Sequence, residues 1–175
     1  KGMVFVMLRC AAYLICILTL AGCVKPAVDE SSNANYLLFS EEGANQIALN
    51  ASHPIISESK SKLEARLLEA MRSPLEVPIP KDPGGGYTHE KHKKNYAAIK
   101  DAGTMYLLTK DATYLDFTKN LLLEYAELYP TLALHPQRKN QGPGKLFWQV
   151  LNDEVALVHF IQGFDAIKSE VSPLD

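Results

Sequence analysis

The sequence has 175 residues, enough for one domain, and 47% of them are apolar, which excludes a disordered polar tract. The net charge at pH 7 is −2, and this slightly acidic balance gives no support for nucleic-acid binding, which usually depends on a basic domain. Composition alone therefore predicts a globular chain with no nucleic-acid partner.

The first 22 residues have the pattern of a lipoprotein signal peptide. Arg9 precedes an uncharged and mostly apolar run, which is shorter than the roughly 20 residues needed to span a bilayer. Leu20, Ala21 and Gly22 lead into Cys23, an order typical of a bacterial lipobox, in which the cysteine is acylated and becomes the new N-terminus. We therefore expect lipid attachment at Cys23 and a location in the periplasm or at the outer membrane. A plain signal peptide or an N-terminal anchor helix is the alternative.

Residues 23–35 are small and polar, and we interpret them as a tether between the lipid and the first ordered residue. The other two cysteines, Cys10 and Cys16, lie inside the signal and would be removed with it. The mature chain is therefore expected to have neither a disulfide nor a cysteine metal site. Lys1 and Gly2 precede the first methionine, and the sequence stops just after a strongly apolar segment. Both features favour the front part of a longer protein.

Helix and loop signals alternate along the rest of the chain. Residues 36–50 fit either a short strand and turn or a turn and short helix. Residues 57–72 have apolar side chains at helical spacing and end before Pro74, so they predict a helix. Four prolines and three glycines in residues 73–86 predict a long loop. The next helix is expected to begin with Thr88 as its N-cap.

A third helix is expected from its cap Asp111 to the stop at Pro130. A second polar loop covers residues 130–145. It precedes a fourth helix from about Leu146 to Ile167, which is apolar on nearly every side and should lie inside a larger assembly of helices. The sequence therefore predicts an all-α fold of antiparallel helical hairpins, with both long loops at one mouth. A tetratricopeptide-like array is the alternative.

Basic residues concentrate near the two long loops, although the protein is acidic. Three glycines precede histidines and lysines in residues 84–96, and the second loop has no acidic residue between Pro130 and Gln149. Because glycines let a backbone approach a ligand and helix N-termini attract anions, the pattern indicates a polyanion held in a local groove. A solvated helix start or random loop charge is the alternative. The residues concerned are Lys81, His89, Lys91, His92, Lys93, Lys94, His135, Arg138, Lys139 and Lys145.

Two amides and two histidines are further candidates. Gln149 and Asn152 lie on the apolar fourth helix, where a buried amide needs a partner, either a ligand or neighbouring backbone. Trp148 is expected in the core rather than as a platform for a sugar. His89 and His92 are three residues apart, but no further ligand completes a metal-binding set, so we expect no metal site.

Several separated blocks resemble, in order, the N-terminal helical domain of oligoalginate lyases, in the heparinase II/III-like group of polysaccharide lyases. The blocks are PGGGYTHEKHKKNY, LLLEYAELYPTLALHPQ and PGKLFWQVLNDEVALV. The resemblance implies that residues 36–175 are the N-terminal portion of an α/α toroid, followed by a large antiparallel β-sheet domain. It also implies β-elimination of a uronate chain, in which a base removes the C5 proton and an acid protonates the departing glycosidic oxygen.

The family's catalytic Asn–His pair and tyrosine would align beyond residue 175, so the resemblance places the catalytic residues there and implies that this chain alone is inactive. Gln149 matches a family position at the substrate site, and His89 and Asn152 are weaker matches. With Lys145, they are the predicted substrate-binding residues. No cofactor is implied.

The sequence thus predicts an exported lipoprotein that carries the first helices of a lyase depolymerising alginate or oligoalginate. Its partners would be an anionic uronate polysaccharide or oligosaccharide and, through its lipid, a membrane. Two alternatives stay open. One is a non-catalytic helical surface lipoprotein that binds a glycan or a protein, and the other is a lyase for a different uronate polysaccharide.

Overall fold

The computed structural model describes residues 36–38, 40–137 and 142–172 of the chain. In these ranges the helices are α1 (Glu41–Leu49), α2 (Pro54–Met71), α3 (Tyr87–Thr109), α4 (Ala112–Thr131) and α5 (Val150–Ile167). The prediction of an all-α fold is confirmed for this part of the chain. The predicted signal peptide, Cys23, the tether and the loop residues Arg138 and Lys139 lie outside the described residues.

Helix α1 decides between the two structures left open for its segment. The Ser40 hydroxyl accepts a hydrogen bond from the Gly43 N–H at 3.0 Å, and Glu41 and Glu42 in the first turn complement the positive end of the helix dipole. Helix α2 begins at Pro54, earlier than predicted. Proline suits the first position of a helix, because its missing N–H would have no partner there.

Helix α3 begins at Tyr87 with Gly86 as its N-cap, so the prediction that Thr88 caps this helix is wrong. Thr88 is buried in the first turn, and its hydroxyl accepts hydrogen bonds from the backbone N–H groups of Lys81 and Asp82. The threonine therefore holds the preceding loop, and the N-cap residue Gly86 has no side chain with which to cap the helix.

Helix α4 has its predicted N-cap, because the Asp111 carboxylate accepts a hydrogen bond from the Thr113 N–H at 2.8 Å. The helix runs to Thr131, one residue past the predicted stop at Pro130. Because the proline lies in the last turn, its missing N–H removes a hydrogen bond only at the end of the helix. The predicted start of the last helix is wrong: α5 begins at Val150, and residues 145–149 form a bent segment. Backbone N–H groups of this segment donate to the side chain of Asp153 instead of taking part in a helix.

Helix α3 is the centre of the fold and packs against the other four helices. Its closest approach is to α5, where Gly163 lies against the backbone of Ile99 and Gly103 lies against Ala166. One group of buried side chains joins α2, α3, α4 and the end of α5, and another joins α3, α4 and α5 to the segment before α5. The larger members of the two groups are Leu67, Met105, Tyr106, Tyr114, Ile167, Ile99, Leu121, Tyr125, Leu146 and Phe147.

The face of α5 that turns away from the core is apolar and exposed. A groove of about 320 Å³ between α4 and α5 has Leu122, Phe160 and Phe164 among its lining residues. The expectation that this helix lies inside a larger assembly therefore stays a prediction. Within the described ranges, no helix is long and apolar enough to cross a membrane. The exposed apolar residues of α5 are Val150, Leu151, Val155, Leu157, Val158, Ile161 and Phe164.

Candidate functional site

The two long loops contact each other, as the sequence predicts. A Cβ atom placed on Gly84 would lie 3.5 Å from the Trp148 ring, so the glycine backbone packs against the indole. Asp82 and His135 are close enough for each to shift the pKa of the other. Trp148 is half-buried at this contact rather than enclosed in the core. We call the meeting place the loop junction, which comprises residues 81–89, 135–137 and 142–149.

The first loop is closed by the contact between Asp82 and Thr88. The Asp82 carboxylate accepts hydrogen bonds from both the N–H and the hydroxyl of Thr88. Donation by the Thr88 N–H is the main reason why the pKa of Asp82 is lowered. The carboxylate is therefore held in its charged form on the loop side of the first turn of α3.

The second loop is closed by a carboxylate in the first turn of α5. Asp153 accepts hydrogen bonds from the N–H groups of Lys145 and Phe147, each at 2.7 Å, and from that of Leu146 at 3.3 Å. The Val150 N–H also donates to the Gly142 carbonyl at 2.8 Å. Three backbone donors of the bent segment therefore find an acceptor without forming a helix.

Three buried histidines lie in or next to the loop junction. His89, His92 and His135 are 6%, 0% and 1% exposed, and the rings of His89 and His92 meet the Phe147 ring edge-on, with centroids 4.9 and 5.9 Å away. Burial lowers the pKa of all three, that of His92 to about 4. They are therefore neutral at pH 7. The junction carries less positive charge than the sequence suggested.

His92 belongs to a buried polar chain. Its Nδ1 lies 2.8 Å from the Tyr125 hydroxyl, which accepts a hydrogen bond from the Asn95 amide at 3.1 Å. We infer that the hydroxyl donates its own proton to Nδ1, which leaves the ring proton on Nε2. Among the described residues, His92 Nε2 and His89 Nδ1 have no hydrogen-bond partner. The nearby Pro78 carbonyl raises the pKa of His92 and so offsets part of the effect of burial, although it forms no hydrogen bond with the ring.

The predicted substrate-binding residues have different surroundings. Gln149 is exposed at the N-cap of α5, and its side chain does not cap the helix. Asn152 and Lys145 are half-buried, and the Lys145 ammonium lies 5.3 Å from the centre of the Tyr129 ring. His89 is buried against Phe147. The structure therefore presents Gln149 most directly to solvent.

The lysines that follow the glycines do not form one surface with the junction. Lys91 and Lys94 line a separate cavity of about 1000 Å³ between α2 and α3, which Asp101 also lines. Lys93 forms an ion pair with Glu90 at 3.2 Å. Helical spacing turns these side chains to different sides of α3, so the expected single basic groove is divided.

Sequence reasoning missed the two carboxylates that close the loops. Asp153 was placed inside a helix beginning near Leu146, where it had no loop to hold. Asp82 was not singled out among the basic residues that surround it. An acidic residue in the first turn of a helix is a usable signal, but the partners of both carboxylates are backbone N–H groups that depend on the path of the loop.

No protein-family model matches the chain. Over 149 residues it is 43% identical to the alginate lyase of Stenotrophomonas maltophilia, a match that covers 85% of this chain and 20% of that protein. Over 140 residues it is 47% identical to the exo-oligoalginate lyase of Saccharophagus degradans, covering 80% of this chain and 19% of that protein. The chain is alginate lyase-like. It spans about a fifth of the length of these curated relatives.

The described part of this alginate lyase-like chain contains no group of three or more His, Cys, Asp or Glu side chains arranged to hold a metal ion. The loop junction offers the exposed amide of Gln149 and the half-buried ammonium of Lys145, and its imidazoles are buried and neutral. Such groups can donate hydrogen bonds to an anionic oxygen, and they suit the binding of a carboxylate.

Proposed function

We propose that this chain forms the helical side of the substrate cleft in a lyase that depolymerises alginate or oligoalginate by β-elimination. The observation that carries the proposal is the exposed amide of Gln149, at the end of a loop whose backbone is hydrogen-bonded to Asp153. The chain carrying it is similar over most of its length to proteins named alginate lyase and exo-oligoalginate lyase. Because it spans about a fifth of their length, the activity would belong to a longer polypeptide.

Gln149 would act on the carboxylate of a bound uronate. A proton next to a carboxylate is only weakly acidic, because its removal adds negative charge to a group that is already an anion. An amide N–H directed at the carboxylate stabilises the enolate-like charge as it develops, and a donor already in position needs little reorganisation during the reaction. Since the Gln149 side chain does not cap α5, its amide is available for this contact.

Residues near Gln149 would attract the uronate polymer and hold the loop in place. Lys145 and Asn152 flank Gln149 along the chain and would contact the same uronate polymer. The buried His89 would support the loop from behind through its contact with Phe147. Exposed Lys81 on the first loop would add to the attraction for the polyanion, and this part of the binding should weaken as salt rises.

The proposal is tested by Gln149→Ala in the complete protein, with Gln46→Ala on the exposed surface of α1 as the matched control. Loss of a donor to a charged group is expected to lower kcat/KM for oligoalginate by on the order of tenfold or more. The unsaturated uronate product gives the assay. Equal kcat/KM values for the two variants would remove Gln149 from the substrate site.

A second experiment tests the reaction class. The complete protein is expected to release unsaturated uronate from alginate, whereas purified residues 23–175 should release none, because the catalytic residues are expected beyond residue 175. Product analysis on alginate and on glycosaminoglycans separates the possible uronate substrates. Binding of oligoalginate by the complete protein without turnover would favour a glycan-binding lipoprotein instead.

We also propose that the protein is exported and acylated at Cys23, to lie in the periplasm or at the outer membrane. The support is the order of residues before the cysteine and the polar tether that follows it. Labelled fatty acid is expected in the wild-type protein and not in Cys23→Ala, and fractionation should move the variant from the membrane to the soluble fraction. Equal labelling of both would contradict acylation at this position.

A further inference from the structure

The bent segment before α5 has an unusual source of order. Its three successive N–H groups, from Lys145 to Phe147, converge on the single carboxylate of Asp153. A carboxylate that accepts several backbone N–H groups forms charge-assisted hydrogen bonds, which are stronger than bonds between neutral groups. Asp153 also lies in the first turn of α5, where the helix dipole stabilises a negative charge.

A glycine makes room for this arrangement. A Cβ atom on Gly144 would lie 2.6 Å from an oxygen of Asp153, closer than two such atoms can approach. The Gly144 carbonyl meanwhile accepts a hydrogen bond from the His135 N–H at 2.9 Å, which ties the two ends of the second loop together. Carboxylate and glycine thus specify one path for the chain from residue 144 to residue 149.

This path determines which side chains face outward. Leu146 and Phe147 are buried, with Phe147 completely enclosed among aromatic and histidine rings, while Gln149 is exposed two residues later. If the N–H groups lost Asp153, water would have to replace it, and residues 145–147 would lose the hydrogen bonds that fix their backbone just before Gln149. The position of the exposed Gln149 amide therefore depends on Asp153, whose carboxylate is bonded to the backbone of residues 145–147.

We propose that Asp153 is a positioning residue for Gln149, acting through the backbone of residues 145–147; this inference rests on the proposed role of Gln149. Asp153 does not contact the substrate. It sets the geometry in which the Gln149 amide meets the uronate carboxylate. The adjacent Glu154 is exposed in the same turn of α5 and provides a matched control.

The test is a double-mutant cycle in the complete protein. Asp153→Ala is expected to lower kcat/KM for oligoalginate on the order of tenfold, as Gln149→Ala does, and the double variant should be no worse than the poorer single variant. Asp153→Asn keeps one of the two acceptor oxygens and should recover part of the loss. Glu154→Ala should retain wild-type kcat/KM. Multiplicative losses in the double variant, or an Asp153→Ala enzyme as active as Glu154→Ala, would overturn the proposal.

Hydrogen exchange separates this inference from the proposed role of Gln149. In Asp153→Ala the amides of residues 145–147 should exchange on the order of tenfold faster or more, while α3 amides stay protected. Asp153→Asn, which keeps one acceptor oxygen, should show a smaller increase in exchange at the same amides and serves if Asp153→Ala does not fold. Unchanged exchange overturns the positioning of the loop. Faster exchange in Asp153→Ala together with full activity of Gln149→Ala would instead contradict the proposed role of the Gln149 amide. The effect of Asp153 on catalysis would then be contradicted as well.

Discussion

The carboxylate of Asp82 and the side chain of Thr88 close the first loop as a ring of hydrogen bonds. One Asp82 oxygen accepts from the Thr88 N–H at 2.9 Å and from its hydroxyl at 3.0 Å, while that hydroxyl accepts from the Asp82 N–H at 3.0 Å. Thr88 is buried, so water does not compete for these groups. The loop that brings Gly84 to Trp148 is therefore held from the first turn of α3.

Removing the Thr88 hydroxyl should loosen this loop. Thr88→Val keeps the shape of the side chain but leaves the N–H groups of Lys81 and Asp82 without their acceptor. A fall of a few degrees in Tm is expected, measured by thermal unfolding. The control is Thr131→Val at the exposed end of α4, where water can replace the hydroxyl. Equal shifts in the two variants would show that the ring contributes nothing of its own.

The stability of the protein should fall between pH 6.5 and pH 4. Burial lowers the pKa of His92 to about 4, whereas the unfolded chain binds this proton near pH 6.5. In that window the unfolded state holds more protons, so the free energy of unfolding decreases as pH falls, by on the order of 3 kcal/mol for His92 alone. The lowered pKa values of His89 and His135 act in the same direction.

Urea unfolding at pH 7 and at pH 4.5 measures this dependence. His92→Gln should reduce the difference between the two free energies of unfolding, and His53→Gln, at an exposed position before α2, should not. An NMR titration provides a direct check on the same group. If the His92 ring titrates near pH 6.5 in the folded protein, the explanation by burial is wrong.

The crossing of α3 and α5 should not tolerate a side chain at Gly163. A Cβ atom there would meet the backbone of Ile99, with the carbonyl oxygen 2.9 Å away, and a helix backbone cannot move as a flexible side chain can. Gly163→Ala is expected to lower the free energy of unfolding by about 1–3 kcal/mol, measured in urea. Gly43→Ala in α1 meets only the Ser40 hydroxyl at 3.2 Å and should be close to neutral. Similar costs would contradict the close crossing.

The ion pair between Arg66 of α2 and Asp101 of α3 should contribute more to stability than an exposed ion pair does. Asp101 is buried and accepts from Arg66 Nε and Nη2 at 3.2 and 2.8 Å, while the Arg66 side chain is largely exposed. Arg66→Ala leaves a buried carboxylate unpaired and should cost about 1–2 kcal/mol of stability in urea unfolding. Arg72→Ala breaks an exposed pair with Glu69 and should cost roughly 0–0.5 kcal/mol. Equal costs would show that burial of Asp101 does not matter.

Local signals predicted much of the architecture. The N-cap of α4 at Asp111 and the two long loops follow from residue types that act within a few positions, such as a capping carboxylate or a run of prolines and glycines. The prediction that both long loops lie at one mouth followed from the order of the helices, and the contact between Gly84 and Trp148 agrees with it. The resemblance to alginate lyases came from blocks of sequence and is supported by the two relatives.

The candidate site was less predictable, because its contacts join distant positions. Periodicity extended the last helix back to Leu146, yet α5 begins at Val150, since three N–H groups find Asp153 as a better partner than a helix would provide. His89 and His135 read as basic loop residues and are buried and neutral instead. Whether Gln149 binds a uronate stays a prediction.

By itself the sequence determined the helical class and the order of helices and loops, because helix periodicity, caps and breakers act over a few residues. Its blocks also carry the likeness to alginate lyases. Only the tertiary structure decided where α5 begins, which histidines lose their charge and which amide faces solvent. Those properties depend on burial and on hydrogen bonds between segments that the chain brings together only when it folds. Asp153, Phe147 and His89 show this dependence, since Asp153 accepts a hydrogen bond from the Phe147 N–H and the Phe147 ring meets His89 edge-on.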